Sequence, residues 1–175
     1  MVPNTTLDKW LEEISKGDQS ALESLYNETR DALYAYSLSI THNKVLAEDA
    51  LQDTYIAVFE KADTYQKRNK PLAWLFTIAK NVSLSKLRKN KEHINIDDLS
   101  EILGAKEGNI EDRLFLSYLF KHVSQDERDI CILHSVAGFK HREIARFMEM
   151  PLGTVLAKYR RTMKKLKEIA KEAQI

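Results

Sequence analysis

The sequence contains little of what marks secreted, membrane-bound or glycine-rich proteins. It has one cysteine, Cys131, so no internal disulfide can form and the cytoplasm is the expected location. No apolar run reaches the roughly 18 residues of a membrane span, and the first residues lack the basic and apolar blocks of a signal peptide. Only 5 glycines and 3 prolines occur among 175 residues. This scarcity argues against a glycine-rich phosphate loop and predicts an almost entirely helical chain.

The net charge of +1 hides two strongly basic segments. Residues 67–91 carry a net charge of +8 without one acidic residue, and residues 140–175 carry +6. The segment 92–112 between them carries −6, and residues 1–66 carry −7. A single basic helix face is often only a solvated surface. Two such blocks favour a polyanionic partner, which is usually nucleic acid.

Apolar residues at helical spacing predict four helices in the first half of the chain. Thr5 with Asp8 is predicted to cap the first helix, Gly17 to end it, and Asp18 to cap the second. Pro71 suits the first turn of the fourth helix. The predicted helices cover about 7–14, 19–40, 45–62 and 71–89.

The second half is predicted to form a separate domain. Residues 90–112 show no clear helical period, so we predict a domain at 1–90, a flexible acidic linker at 91–112 and a second domain at 113–175. Ser124 and Glu127 form a capping-box pattern. The helices predicted here cover 111–123, 125–138, 141–148 and 151–170. A short helix, a tight turn and a longer basic helix indicate a helix-turn-helix, and the fold class is all-α.

No catalytic or metal site is predicted. Cys131 and His134 are three residues apart and His141 follows, which is half of a metal-ligand pattern. Zinc needs about four ligands, so a structural role is favoured, and no metal or cofactor is expected. No Ser-His-Asp pattern, carboxylate pair or glycine-rich loop is present, so no catalytic residue is proposed.

Three stretches in chain order resemble the extracytoplasmic-function (ECF) sigma factors, the small two-domain members of the bacterial sigma family. The first, from Lys16 to Tyr26, is similar to the pattern G-D-x-x-A-F-x-x-L-Y. The second, A-E-D-A-L-Q-D-T-Y at 47–55, leads into P-L-A-W-L-F-T-I-A-K-N at 71–81. The third covers 138–166, with E-I-A and G-T-V. The resemblance spans about residues 10–168.

This resemblance implies a promoter-specificity subunit of bacterial RNA polymerase. Such a protein recruits the core enzyme, reads the minus-ten promoter element with its first domain and the minus-thirty-five element with its second, and has no catalytic activity. It is cytoplasmic, and an anti-sigma factor is a further expected partner. The two basic blocks agree with two DNA elements.

The resemblance assigns polymerase binding to the third helix. Asp49, Gln52 and Asp53 share one helix face, and Tyr55 is included in the predicted site. Asp53 stands where Glu is more usual. Carboxylates and amides can accept hydrogen bonds from arginine on the coiled coil of the polymerase clamp. By spacing alone, a solvated polar face would be the simpler interpretation.

The minus-ten site is assigned to the fourth helix and the loop before it. The resemblance implies a pocket for a flipped base with walls formed by Tyr65, Phe76, Ile78 and Asn81. Core packing is the alternative for Phe76 and Ile78, and Trp74 is predicted to be a core residue. Ser85 replaces a common Asp, which leaves the geometry of Arg88 open. The predicted phosphate contacts are Lys80, Lys86, Arg88, Lys89 and Lys91.

The minus-thirty-five site is assigned to the last helix. Leu156 and Ala157 stand where relatives place a basic and a small hydroxyl residue, so a weaker or unusual readout is expected. A core position is the alternative for Leu156. Glu149 occupies a turn position that glycine usually takes. The predicted contacts are Thr154, Leu156, Ala157, Lys158, Arg160, Arg161 and Lys164.

Three other function classes compete with this interpretation. A free-standing helix-turn-helix regulator would bind promoter duplex tightly by itself and would not need the polar face at 49–53. A structural or sequestering helical protein would not need two basic blocks. A nucleic-acid enzyme would need a catalytic residue set, and none is visible in the sequence.

Overall fold

The computed structural model describes residues 2–67, 70–90 and 122–172. The chain divides into two compact units: Met1–Thr41 with Val45–Lys91, and His42–Lys44 with Glu92–Ile175. The regular elements among the described residues are all helical, which confirms the all-α prediction. The predicted linker at 91–112, the contact of Lys91 and nearly all of the helix at 111–123 lie outside the described residues, so the domain boundaries stay a prediction.

Four α-helices and one short 3₁₀ turn form the first unit. Their bounds are Asn4–Ile14 (α1), Gln19–Thr41 (α2), Lys44–Lys61 (α3), Ala62–Thr64 (3₁₀) and Pro71–Lys89 (α4). Each predicted helix is therefore present with nearly the predicted ends. Tyr65–Lys67 form a loop after the 3₁₀ turn, and Pro71 occupies the first turn of α4, as predicted.

The core of this unit is built from helical stripes of apolar side chains. Leu7, Leu11 and Ile14 bury one side of α1, and α4 contributes Leu75, Phe76 and Ala79. Phe76 packs against Tyr36 of α2, with ring centroids 5.3 Å apart. The packed stripes leave the opposite sides of α3 and α4 for other contacts.

The structure agrees with some, but not all, of the residues predicted to begin and end these helices. Asp18 caps α2 as predicted, because its Oδ1 accepts hydrogen bonds from the backbone N–H groups of Ser20 and Ala21. α1 ends at Ile14, three residues before the predicted Gly17, which has φ of +89° in the following turn, a conformation that glycine adopts without steric cost. The predicted cap of α1 by Thr5 and Asp8 is wrong: Pro3 precedes the helix, no side chain caps it, and Asp8 is buried.

Three helices form the described part of the second unit: Gln125–Ser135 (α5), His141–Phe147 (α6) and Leu152–Glu172 (α7). The predicted capping box is present, since Ser124 and Glu127 each bond the other's backbone N–H. α5 ends three residues before Gly138, which instead has φ of +70° in the following turn. The helix-turn-helix of α6 and α7 packs on α5 through Ile130, Leu133, Ile144, Val155 and Leu166.

The turn between α6 and α7 contains a strained residue. Glu149 has φ of +54°, in the left-handed region that non-glycine residues rarely adopt. The structure thus explains why glycine would suit this position. Among the residues that the structure describes, none of the longer helices has the sustained hydropathy that a membrane span requires.

Candidate functional site

An exposed row of side chains runs along α3 at alternating spacings of four and three residues. Val45, Ile56 and Phe59 are 66%, 57% and 44% exposed, and Asp49 and Gln52 between them are also exposed. We call these five residues the α3 seam. Apolar residues at this spacing are the pattern with which one helix packs against another in a coiled coil. The seam is therefore suited to a helical partner.

The acidic part of α3 contacts the basic helix α4. Lys86 Nζ lies 2.7 Å from Asp53 Oδ2 and 3.9 Å from Asp49 Oδ2. The two carboxylates are about half exposed, whereas Lys86 is 26% exposed. The predicted polymerase-binding carboxylates and one predicted phosphate contact thus lie together, which the sequence pattern did not indicate.

Tyr55 is the exception among the predicted polymerase-binding residues. Its side chain is 7% exposed and its hydroxyl is 2.7 Å from the Thr29 hydroxyl. Its ring packs against Tyr26 at a centroid distance of 4.9 Å. Burial raises the pKa of Tyr55 far above its ordinary value. We therefore correct its assignment: Tyr55 joins α3 to α2 and is not a surface contact in this structure.

A cavity of about 410 Å³ opens between the loop before α4 and the first two turns of α4. Tyr65 and Trp74 form an aromatic corner, with ring centroids 5.2 Å apart and planes inclined by 57°. The walls also include Thr64, Gln66, Lys70 and Thr77. Aromatic faces, an amide and a cation around one cavity are the groups that stack on a base, read its edge and hold its phosphate.

The structure revises the predicted walls of this pocket. Tyr65 lines it, but Phe76 is fully buried against Tyr36 and is not accessible to a base. Trp74, predicted as a core residue, is part-exposed and lines the cavity instead. Asn81 is exposed and lies one helical turn beyond Thr77 on the same face of α4, whereas Ile78 is part-buried.

The predicted phosphate contacts on α4 differ in their surroundings. Arg88 and Lys89 are exposed, and neither forms an ion pair within the described part of the chain. Lys86 is held by Asp53, as described above. Lys80 is part-buried. Ser85 is exposed and Lys86, rather than Arg88, is the residue of this turn that meets a carboxylate.

The predicted minus-thirty-five contacts lie along α7. Thr154, Ala157, Arg160, Arg161 and Lys164 are exposed. Lys164 Nζ lies 3.7 Å from Glu168 Oε1, in an exposed pair of the kind that contributes little stability. Arg160 and Arg161 make no ion pair with any described carboxylate. The outer side of α7 thus presents two adjacent guanidinium groups.

Two residues of α7 have a more internal position. Lys158 is 26% exposed, and its Nζ is 2.8 Å from Asp126 Oδ2 of α5. Leu156 is part-buried, between the buried Val155 and the exposed Ala157. Neither of the two alternatives for Leu156, a core residue or a fully outward one, describes this position completely.

The two histidines of the Cys131, His134 and His141 pattern pack together, whereas Cys131 belongs to the buried cluster against which Tyr159 packs. The rings of His134 and His141 are 4.1 Å apart and both contact Tyr159 edge-on. His134 Nδ1 is 2.9 Å from the carbonyl oxygen of Phe139, and burial raises the pKa of Cys131 to about 12. Across residues 2–67, 70–90 and 122–172, no three His, Cys, Asp or Glu side chains are arranged to hold a metal ion.

Sequence reasoning missed the apolar half of the α3 seam and the role of Trp74. The sequence does contain a sign of Ile56 and Phe59. With the buried Tyr55 and Val58 they make α3 apolar on two sides, whereas a helix at the edge of a core needs only one apolar side. The signal for Trp74 was its place one turn after the basic loop at 65–70.

Comparisons with known proteins agree with this geometry. The Sigma-70 region 2 family model matches residues 25–93, and the Sigma-70, region 4 model matches residues 116–166. The chain is 29% identical over 140 residues to the ECF RNA polymerase sigma factor EcfG of Rhodopseudomonas palustris, covering 77% of each chain. It is 22% identical to the ECF RNA polymerase sigma factor SigW of Bacillus subtilis, covering 93% of this chain and 95% of that one.

Two solved structures share the fold. The sigma factor RpoE of Bartonella quintana, solved in complex with the anti-sigma factor NepR, has a TM-score of 0.67 and 26% identity, and the match covers 85% of this chain and 96% of that one. The protein CnrH, solved with the cytosolic domain of CnrY, has a TM-score of 0.69 at 18% identity. That match covers 95% of this chain and 98% of the other, and it supports the fold alone.

The region 2 model matches the unit that carries the α3 seam and the cavity, and the region 4 model matches the helix-turn-helix. The chain therefore belongs to the ECF sigma factors.

Proposed function

We propose that this chain binds bacterial core RNA polymerase and directs transcription initiation at specific promoters. The observation that carries the proposal lies in the first unit. There, a helix with an exposed seam for a protein partner adjoins a helix with a cavity and cations suited to DNA. Sigma factors are generally non-enzymatic initiation factors, and we infer that this one acts in the cytoplasm without catalytic residues of its own.

Polymerase binding would use the α3 seam. Ile56 and Phe59 supply apolar area for a helical partner, and Gln52 with the carboxylates of Asp49 and Asp53 accepts hydrogen bonds from its arginines. A coiled coil of the polymerase clamp has the required shape. An anti-sigma factor, the kind of partner with which the Bartonella protein was solved, is a second expected partner that would compete for such surfaces.

Promoter contacts would be divided between the two units. The cavity at Tyr65 and Trp74 would receive one unpaired base of the minus-ten element, with Asn81 beside it as an edge-reading amide. Arg88 and Lys89 would hold phosphates. α7 would meet the minus-thirty-five duplex with Thr154, Arg160 and Arg161, and with little hydrogen bonding from Leu156 and Ala157.

A free-standing helix-turn-helix regulator is the alternative class. It would use α6 and α7 but would leave the α3 seam without a purpose, because duplex binding needs no coiled-coil partner. The sigma-factor proposal accounts for both units.

Run-off transcription with bacterial core polymerase and a library of upstream regions tests the proposal. Phe59→Ala should weaken core binding by about 1–3 kcal/mol, because an exposed aromatic anchor is lost. Gln52→Ala should have a smaller effect in the same direction. Glu23→Ala, an exposed change on α2, is the matched control and should bind core normally.

Circular dichroism of each variant separates lost binding from lost folding. No promoter-specific transcript, or equal core affinity for folded Phe59→Ala and Glu23→Ala, would overturn the proposal. Tight promoter binding by the isolated chain without core polymerase would favour the free-standing regulator instead.

A further inference from the structure

α1 reaches the loop that forms the cavity, although α1 lies outside the matched Sigma-70 region 2 segment at 25–93. Asp8 of α1 accepts a hydrogen bond from the Tyr65 hydroxyl, across 57 positions of sequence. Asp8 is 1% exposed, so this carboxylate lies inside the unit and is not a solvated surface group.

A second contact joins the same two segments. Glu12 follows Asp8 by one helical turn, and its Oε2 is 3.5 Å from Lys67 Nζ. Lys67 follows Tyr65 by two residues in the loop. Two carboxylates on one face of α1 therefore meet two side chains of the loop, and the exposed Glu12–Lys67 pair is the weaker contact.

Tyr65 is held at both ends of its side chain. Asp8 accepts the hydrogen bond from its hydroxyl, and Trp74 packs against its ring at 5.2 Å. Because Tyr65 and Trp74 form the aromatic corner of the cavity, the position of the Tyr65 ring determines the shape of that corner. A ring with a free hydroxyl could rotate away about χ1 and open the corner.

Asp8 is poorly explained as a source of stability alone. Burial of a carboxylate is unfavourable unless hydrogen bonds satisfy both oxygens. Oδ2 of Asp8 has no hydrogen-bond partner among the described residues, and the contact with Tyr65 satisfies Oδ1 only. An apolar residue at this buried position would avoid that cost but could not hold the tyrosine hydroxyl.

We propose that Asp8 is a positioning residue for the base pocket: it fixes the Tyr65 ring against Trp74 and so maintains the site that accepts an unpaired minus-ten base. This inference rests on the proposed function of the cavity. It assigns to α1, a helix without a DNA contact of its own in the proposal, a part in promoter specificity. Base recognition should therefore depend on Asp8, whereas polymerase binding through the α3 seam should not.

The test uses holoenzyme assembled from the full chain and core polymerase. Binding is measured to fork-junction promoter DNA that carries an abasic site at each minus-ten position in turn. For wild type, the abasic site at the pocket position should weaken binding by about tenfold or more, because a stacked base is lost. For Asp8→Ala this penalty should fall below about threefold, because the pocket no longer holds the base well.

Three variants make the comparison specific. Tyr65→Phe keeps the ring, removes the hydroxyl and should reproduce the effect of Asp8→Ala, and the double variant should be no worse than either single one. Asp8→Asn keeps an acceptor oxygen and should restore most of the wild-type penalty. Lys9→Ala, an exposed change on α1, is the control and should behave as wild type.

Hydrogen exchange of the free chain provides a readout without DNA. The amides of residues 62–67 should exchange several-fold faster in Asp8→Ala than in Lys9→Ala, while those in the middle of α2 should not change. If Asp8→Ala does not fold, Tyr65→Phe carries both measurements. Core affinity should be the same in all folded variants.

The outcomes separate the inference from the proposed function. A wild type that is insensitive to abasic sites would overturn the base pocket and with it the positioning role. A sensitive wild type with an equally sensitive Asp8→Ala and unchanged loop exchange would overturn the positioning role alone. Loss of core affinity together with loss of base recognition would show that Asp8 supports only the global fold, which also overturns it.

Discussion

The two basic helices of this sigma factor offer DNA different kinds of surface. α4 begins beside a cavity with an aromatic corner, so it combines shape with charge. α7 presents the adjacent cations Arg160 and Arg161 on an exposed side. Under the proposed function, the first unit would distinguish a base by its contacts in the cavity, whereas the second would bind mainly by charge and by fit to the duplex.

α4 and α7 also share a lysine–aspartate ion pair, and the expected consequences of the two pairs differ. Each has one lysine paired with an aspartate of a neighbouring helix: Lys86 with Asp53 at 2.7 Å, and Lys158 with Asp126 at 2.8 Å. Both lysines are 26% exposed. Asp53 lies beside the α3 seam, where polymerase would compete for it, whereas Asp126 lies in the first turn of α5 beside a capping box. Only the first pair should respond to polymerase.

Among these predictions, Trp74→Ala should have the largest effect, which is on promoter binding. If it had no effect, the contrast between the two basic helices would be wrong. Removal of one face of the aromatic corner should weaken promoter binding by holoenzyme by about 1–3 kcal/mol and flatten the preference at one minus-ten position. Binding to a library of minus-ten sequences measures both. A uniform loss across all sequences would mean that the cavity does not enclose a base.

Arg161→Ala tests the other side of the contrast. Loss of one phosphate contact should lower the slope of log affinity against log salt by about one unit and should weaken all promoters similarly. Lys158→Met is the matched comparison, and it should lower the slope less because Asp126 already neutralises that lysine. A changed preference at one minus-thirty-five base would instead identify Arg161 as a base contact.

The sequence predicts the fold of this protein well because its helices carry local signals. Asp18, Gly17 and the Ser124–Glu127 box act within one or two turns of the residues they cap. The failed cap at Thr5 and Asp8 shows the limit. Aspartate is a residue type that often starts a helix, so the local pattern predicted a cap at Asp8. Its actual partner, Tyr65, is distant in sequence, and this tertiary contact overrides the local pattern.

The candidate sites are predictable only in part for the same reason. A spacing identifies which residues share a helix face, but not which face meets another helix. Phe76 and Trp74 are two residues apart, and their positions are the reverse of those predicted: Tyr36 covers Phe76, whereas Trp74 lines the cavity. The Lys86 pair joins α3 to α4, and no pattern within one helix indicates it.

A double-mutant cycle on each lysine–aspartate pair tests whether only one of them responds to polymerase. In the free chain, both Lys86–Asp53 and Lys158–Asp126 should contribute about 0.2–1 kcal/mol to folding, as part-exposed pairs do. In complex with core polymerase, the Lys86–Asp53 coupling should diminish, because the partner takes over the carboxylate, while the Lys158–Asp126 coupling should persist. Equal couplings in both states would place Asp53 outside the polymerase interface.

The smallest effect concerns pH, and it should arise in the second unit through His141. Burial, followed by the nearby His134 and the cation of Arg160, lowers the pKa of His141 below its ordinary value of 6.5. The unfolded chain then binds more protons than the folded one as the pH falls below about 6.5, so the free energy of unfolding should decrease there and be fully regained above it. Burial also lowers the pKa of His42, which therefore contributes in the same direction.

Thermal melting between pH 5 and 8 of wild type and of His141→Gln isolates the contribution of His141, because the His42 contribution is common to both. The variant should lose less stability on acidification than wild type. An equal loss in the two proteins would mean that protonation of His141 costs the folded state no more than the unfolded one, and that the acid sensitivity arises elsewhere.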